Sequence, residues 1–188
     1  CAVHLHRFTD SLRENMVPES ATAVISGNVA DLNTKLEAFV SAHADKKLRF
    51  ETEVNSDGRV TVVLHGRSAH GAMPEKGING ATYLAKFLDE SGVVSPFTKI
   101  AGMILIEDHT GDKTGVAFED PKMGALSMNA GVFNFDDKSS DNTIALNFRY
   151  PQGTDSDAIY QVLTALEGVE NVTKSAHEHT PHYVPMDD

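Results

Sequence analysis

The stretch that most restricts the fold of this chain is residues 66–81, GRSAHGAMPEKGINGA, in which four glycines and one proline surround a histidine. Before it, Val60, Val62 and Leu64 share one face of a β-strand, and after it apolar residues recur at helical spacing up to Leu88. Glycine relieves backbone restrictions and proline favours a turn. The pattern therefore predicts a tight strand-to-helix corner that holds His70 in a defined orientation. A histidine at such a corner should lie exposed near the junction of the two halves and not buried in the core.

Short strands and helices are predicted along the rest of the chain. Two extended segments, 48–54 and 59–65, flank an Asp57-Gly58 turn, which is typical of an antiparallel hairpin. Further strands are predicted at 2–8, 16–25, 126–135, 143–150 and 172–179, and further helices at 29–40, 97–106 and 159–166. The polar, glycine-containing segment 111–122 is predicted to be a loop.

The chain divides near Ser95-Pro96 into halves of about 1–94 and 95–188. Each half has the element order of a ferredoxin-like α+β unit. We expect an antiparallel sheet with the helices on one face.

Composition excludes several classes of protein. The chain of 188 residues has a formal net charge of −11, so the phosphates of a nucleic acid would be repelled. It has no apolar run long enough for a transmembrane helix. Cys1 is the only cysteine, which fits a reducing compartment and predicts a cytoplasmic protein.

Four segments carry a resemblance to a known family. Besides residues 66–81, they are 15–21 (NMVPESA), 147–151 (NFRYP) and 182–185 (HYVP). Together they resemble the di-zinc metallopeptidases that include aminoacylases, carboxypeptidases and dipeptidases. In particular, they resemble the single-chain PepV-type (carnosinase-like) dipeptidases of bacteria, and the last segment is similar to the return strand of that family.

The resemblance implies that residues 1–188 are the lid domain of a larger dipeptidase. In single-chain members the lid imitates a dimer, because two ferredoxin-like units form one continuous sheet. Such enzymes hold two zinc ions in a separate catalytic domain with a His-x-Asp motif and a Glu-Glu pair. This chain has one His-x-Asp triplet, His43-Ala44-Asp45, but no Glu-Glu pair. We therefore expect no metal site in this chain, an absent catalytic domain as its partner, and no peptidase activity of the fragment alone.

The resemblance also assigns roles to two residues that suit their chemistry. His70 matches the lid histidine that donates a hydrogen bond to the oxyanion formed when the peptide bond is attacked. Arg149 matches the arginine that binds the C-terminal carboxylate of the substrate, for which its guanidinium fork is well shaped. The alternation of Leu146 and Phe148 with Asn147 and Arg149 sets this arginine on the polar face at the end of a strand.

Asn15 is a third candidate for substrate binding. Its side-chain amide can donate a hydrogen bond to a carboxylate without adding charge. The matching residue of the family binds the substrate carboxylate.

Other readings of the sequence remain open. The chain could be a non-catalytic ferredoxin-like module that binds a ligand or a partner, or a hydrolase that uses Cys1 as an N-terminal nucleophile. His4 and His6, and likewise His177 and His179, have the spacing that sets two side chains on one face of a strand. Such a pair could bind one metal ion, although the family uses no metal at His177 and His179.

Overall fold

The computed structural model describes most of the chain. The described residues are 3–10, 16–70, 73–109, 113–115, 119–120, 124–139, 142–149, 156–174 and 181–186. Asn15 and Cys1 lie outside them, and so do His177 and His179.

The first half contains four strands and two principal helices. They are β1 (Val3–Asp10), β2 (Ser20–Gly27), α1 (Leu32–Ala42), β3 (Arg49–Val54), β4 (Val60–His65) and α2 (Gly80–Glu90).

The second half begins with a short helix, which is followed by strands of two to ten residues and a further helix. Its elements are α3 (Pro96–Lys99), which continues as a π-helical turn over Ile100–Ile104, then β5 (Glu119–Asp120), β6 (Gly124–Ala125), β7 (Ser127–Asp136), β8 (Asn142–Arg149), α4 (Ser156–Thr164), β9 (Thr173–Lys174) and β10 (Pro181–Met186).

Eight strands form one antiparallel sheet in the order β3-β4-β2-β1-β7-β8-β10-β9. The order outward from the centre is the same on both sides, since β1, β2, β4 and β3 on one side correspond to β7, β8, β10 and β9 on the other. Phe8 of β1 pairs with Phe135 of β7 where the halves meet. The chain therefore has the predicted α+β fold, in which two similar halves share one continuous sheet.

The hydrophobic core lies on one face of this sheet. Alternate residues are buried along β2 and β4, and nearly the whole of α2 is buried against them. Aromatic rings from both halves meet at the central pair, where Phe97 of α3 lies edge-on to Phe8 with ring centroids 5.3 Å apart. Phe97 also contacts Phe133 and Phe135 of β7. Packing of this kind stabilises the halves as one unit.

Two boundaries differ from the sequence prediction. One strand was expected over 172–179, whereas β9 covers Thr173–Lys174 and a separate strand, β10, begins at Pro181. The expected loop over 111–122 contains the short strand β5, which pairs with β6. The predicted return strand is confirmed, since β10 pairs along its whole length with β8.

Candidate functional site

The strand-to-helix corner is held together by close backbone contacts. Arg67 and Ile78 exchange two main-chain hydrogen bonds of 2.7 and 2.8 Å, which close the corner at its base. A Cβ atom at Gly66 would collide with the carbonyl group of Ile78, and one at Gly80 would lie 2.7 Å from the carbonyl oxygen of Glu19. These glycines are required because no larger residue fits where the backbone segments touch.

His70 lies exposed on this corner, and its backbone is fixed on both sides. It forms a β-bridge with Met16, and next to it the N–H of Val17 donates to the carbonyl of Ala69 at 2.8 Å. The carbonyl of His70 accepts a hydrogen bond of 2.9 Å from the N–H of Met73. The expectation that His70 is not buried in the core is confirmed.

The corner is attached to the second half by two asparagines. Asn129 of β7, which is 2% exposed, donates from its side-chain amide to the carbonyl of Met16 at 3.0 Å. Asn79 donates to the carbonyl of Ala130 at 2.9 Å. Its side-chain oxygen meanwhile accepts from the first N–H groups of α2 and so caps that helix. The His70 corner therefore rests on the first residues of β7.

Arg149 lies at the same end of β7. It is the last residue of β8 and pairs in register with Ser127, while Asn147 pairs with Asn129. The structure describes the backbone of Arg149 and not its side chain. The histidine corner of the first half and the strand end that carries Arg149 thus converge on residues 127–130, whereas Asn15 lies outside the described residues.

A polar cluster beside the corner escaped the sequence analysis. Glu107 accepts hydrogen bonds from the Tyr83 hydroxyl at 2.7 Å and from Nε2 of His109 at 3.1 Å, and Lys46 lies 3.7 Å away. The bond from His109 lowers the pKa of Glu107 to about 2, against the opposing effect of burial and with help from Tyr83 and Lys46. Burial, followed by the bond to Glu107, raises the pKa of Tyr83. Glu107 is therefore held as a carboxylate.

The backbone conformation of Glu107 explains why the sequence pattern did not predict this polar cluster. Glu107 has a φ of 53°, which is unusual for a residue other than glycine. The turn that it makes lets the N–H of Met128 donate to the carbonyl of His109 at 2.7 Å. A narrow cleft joins the cluster to the His70 corner and is lined by residues of both, including Val17, Pro74, Asn79, Glu107, His109 and Asn129.

The described residues do not offer a metal site. They contain no group of three or more His, Cys, Asp or Glu side chains that could hold an ion together. None of the helices within the described ranges combines the length and apolar character needed to span a bilayer.

Comparison with known proteins tests the resemblance to dipeptidases. No protein-family model matches the chain. It is 37% identical over 188 residues to the Beta-Ala-Xaa dipeptidase of Lactobacillus delbrueckii subsp. lactis. It is also 30% identical over 190 residues to a protein of Staphylococcus epidermidis whose name proposes dipeptidase activity. Both matches include 98% of this chain, but the chain spans 39% of the length of these curated relatives. The resemblance to dipeptidases is thereby confirmed.

Proposed function

This chain is related by sequence to bacterial dipeptidases along 98% of its length, and from that premise we propose that it is the substrate-binding lid domain of a zinc-dependent dipeptidase. The observation that carries the proposal is the convergence of two elements on the start of β7. The exposed His70 corner reaches β7 through Met16 and Asn129, and β8 ends there in Arg149.

In this proposal His70 acts on the transition state. An imidazole N–H donates a hydrogen bond to the carbonyl oxygen of the scissile peptide bond as that oxygen gains negative charge. An exposed histidine suits the task, because the substrate must reach it from solvent, and a fixed backbone limits the reorganisation needed during the reaction.

Arg149 and Asn15 bind the other end of the substrate. The guanidinium group of Arg149 pairs with the free C-terminal carboxylate through two parallel hydrogen bonds. The amide of Asn15 donates a further one. Because the carboxylate and the scissile carbonyl must fit their partners together, only short peptides are cleaved.

Two zinc ions belong to the proposed catalytic domain outside this chain, where they supply activated water and polarise the scissile carbonyl. The partners of the lid are then the dipeptide and its own catalytic domain. A location in the cytoplasm completes the proposal, supported by the single cysteine of the sequence.

The first experiment compares the 188-residue chain with the full-length protein that carries it. We expect the full-length protein to hydrolyse dipeptides with a free C-terminus, and a chelator to stop the reaction. The purified chain, with or without added zinc, should release no amino acids. Chelator-sensitive hydrolysis by the chain alone would contradict its assignment as a lid domain. A full-length protein that binds zinc but hydrolyses no dipeptide would contradict the proposed dipeptidase activity.

A further inference from the structure

Three side chains that have no role in the proposed lid function are joined by hydrogen bonds where β1 begins and β2 ends. Oγ of Ser26 lies 2.6 Å from Nε2 of His6, and Nδ1 of the same ring lies 2.7 Å from Oδ2 of Asp137. The three residues come from β2, from β1 and from the turn that follows β7. A hydroxyl, an imidazole and a carboxylate in this order are the parts of a nucleophile with its general base.

A β-bulge in β1 produces this arrangement. Leu5 pairs with Ile25 and Arg7 pairs with Val24, so His6 is an additional residue with no partner of its own on β2. Bulges of this kind change the direction of a side chain. The carbonyl of His6 accepts a hydrogen bond of 2.9 Å from the N–H of Asp137. Asp137 therefore orients both the backbone and the ring of His6.

The partners of His6 determine where its protons lie. An ionised carboxylate only accepts hydrogen bonds, so Nδ1 of a neutral His6 must carry the proton that faces Asp137. Nε2 is then left with its lone pair, which accepts the hydroxyl proton of Ser26. In this tautomer the ring is ready to remove a proton from Ser26, and the carboxylate stabilises the imidazolium that results.

The three residues open into a groove of about 530 Å³. Its walls are mainly apolar and include Val3, Leu5, Val93, Val94 and Phe135. Val94 is 95% exposed, so an apolar surface is available to a ligand beside the hydroxyl. A volume of several hundred Å³ in which apolar walls stand beside a group of polar side chains is typical of a site for a small molecule.

We propose that Ser26, His6 and Asp137 form an acyl-transfer site that accepts short, apolar acyl groups from esters. Oγ of Ser26 forms a bond to the acyl carbon while Nε2 of His6 takes the hydroxyl proton. The ester C–O bond breaks, and the alcohol leaves with that proton. Water, deprotonated by His6, then hydrolyses the acyl-serine to a carboxylic acid and restores the hydroxyl of Ser26. This reaction is independent of the dipeptidase function and uses no residue assigned to it.

The test uses the 188-residue chain with two probes: p-nitrophenyl butyrate, and a fluorophosphonate that reacts with activated serines. We expect the chain to release p-nitrophenol from the ester, and peptide mapping by mass spectrometry to find the fluorophosphonate adduct on Ser26. His6→Gln should slow labelling about 100-fold, the lower end of the usual contribution of a general base. Asp137→Asn should slow it as well. Melting temperatures of all variants are compared with that of the wild-type chain.

Matched controls separate catalysis from structure. Ser20→Ala changes another serine of β2, and His65→Gln changes a histidine of β4 that pairs in register with Ser20 and lies outside the groove, so neither should alter labelling. Imidazole added to His6→Ala should restore labelling of Ser26, which a purely structural histidine would not allow. Labelling of Ser26 at no higher rate than Ser20 in the wild-type chain would overturn the proposal. So would labelling that is insensitive to His6→Gln.

Discussion

The side-chain amide of Asn129 donates a hydrogen bond of 3.0 Å to the main-chain carbonyl of Met16. Asn129 belongs to the strand beside Arg149, and Met16 forms a β-bridge with His70. This single bond therefore links the two regions of the chain to which substrate contacts are assigned.

Asn129→Ala should weaken that link. The carbonyl of Met16 would lose its partner at a partly buried position, and leaving a buried polar group unpaired costs about 1–3 kcal/mol. We expect the free energy of unfolding, measured in urea, to fall by that amount. Asn134→Ala changes an exposed asparagine of the same strand and should have little effect. Equal losses for the two variants would show that the bond to Met16 contributes nothing specific.

His70→Ala in the full-length protein tests the oxyanion contact. Since this hydrogen bond strengthens as charge develops on the carbonyl oxygen, its loss should lower kcat about 10²–10³-fold and change KM little. Steady-state kinetics on a dipeptide measure both constants. His4→Ala, at another exposed histidine, should leave both unchanged. A higher KM at constant kcat would assign His70 to ground-state binding instead.

Arg149→Lys tests the carboxylate contact. Lysine keeps the charge but loses the two-pronged geometry, so KM for dipeptides should rise. A substrate with an amidated C-terminus should already be poor for the wild-type enzyme and should lose little more in the variant. Arg59→Lys is the control at a surface arginine that pairs with Asp57. If the substitution lowers kcat/KM equally for the dipeptide and for its amide, Arg149 has a structural role.

Glu107 predicts a pH dependence of stability. Its pKa falls from the ordinary 4.5 to about 2 in the folded chain, so folding favours the ionised form. The resulting stabilisation is complete above pH 4.5 and is lost as the pH falls from 4.5 through 2. Glu107→Gln should therefore destabilise the chain at pH 7, and the difference from wild type should shrink across that interval.

Thermal melts between pH 2 and pH 7 measure this difference. Glu37→Gln, at an exposed glutamate of α1, controls for the removal of a surface carboxylate. Tyr83→Phe removes one of the donors to Glu107 and should raise its pKa, which carboxyl NMR titration would detect. A constant difference between Glu107→Gln and wild type from pH 7 to pH 2 would contradict the assigned hydrogen bonds.

Gly66→Ala tests the fit of the corner. The added methyl group would meet the carbonyl of Ile78, which is backbone and cannot turn aside. Gly58→Ala is a useful comparison, because Gly58 has a φ of 84° but open space around it. Its replacement should cost only the backbone strain of about 1–2 kcal/mol. Equal losses of stability at the two positions would show that the corner opens readily.

The sequence was sufficient where the structure depends on local patterns. Alternation along 60–64 and the Asp57-Gly58 turn predicted the hairpin, and the glycines of the corner predicted that His70 would be exposed. The Ser26–His6–Asp137 line could not be predicted in this way, because His6 lies 20 residues from Ser26 and 131 from Asp137. It depends on one extra residue in β1, and a bulge is visible only once the pairing of the strands is known.

Glu107 illustrates a second limit. Its left-handed backbone conformation carries no sequence signal of its own, since glutamate rarely adopts it. The turn is held by tertiary contacts with Tyr83 and Lys46, which lie 24 and 61 residues earlier in the chain. Asn79 lies within the predicted corner, but its bond to Ala130 depends on the second half of the chain being in place.

The pairing of β1 with β7 bears on how a substrate would enter. Bending the sheet at this seam would break the hydrogen bonds around Phe8 and Phe135 and separate the rings that Phe97 holds together. His70 and Arg149 lie on opposite sides of this seam, so the pairing of β1 with β7 opposes a change in the distance between the halves that carry them. In the proposed dipeptidase, the hinge for opening and closing would then lie at the connections between this lid and the catalytic domain. The distance between His70 and Arg149 would stay constant and would set the length of peptide that can be cleaved.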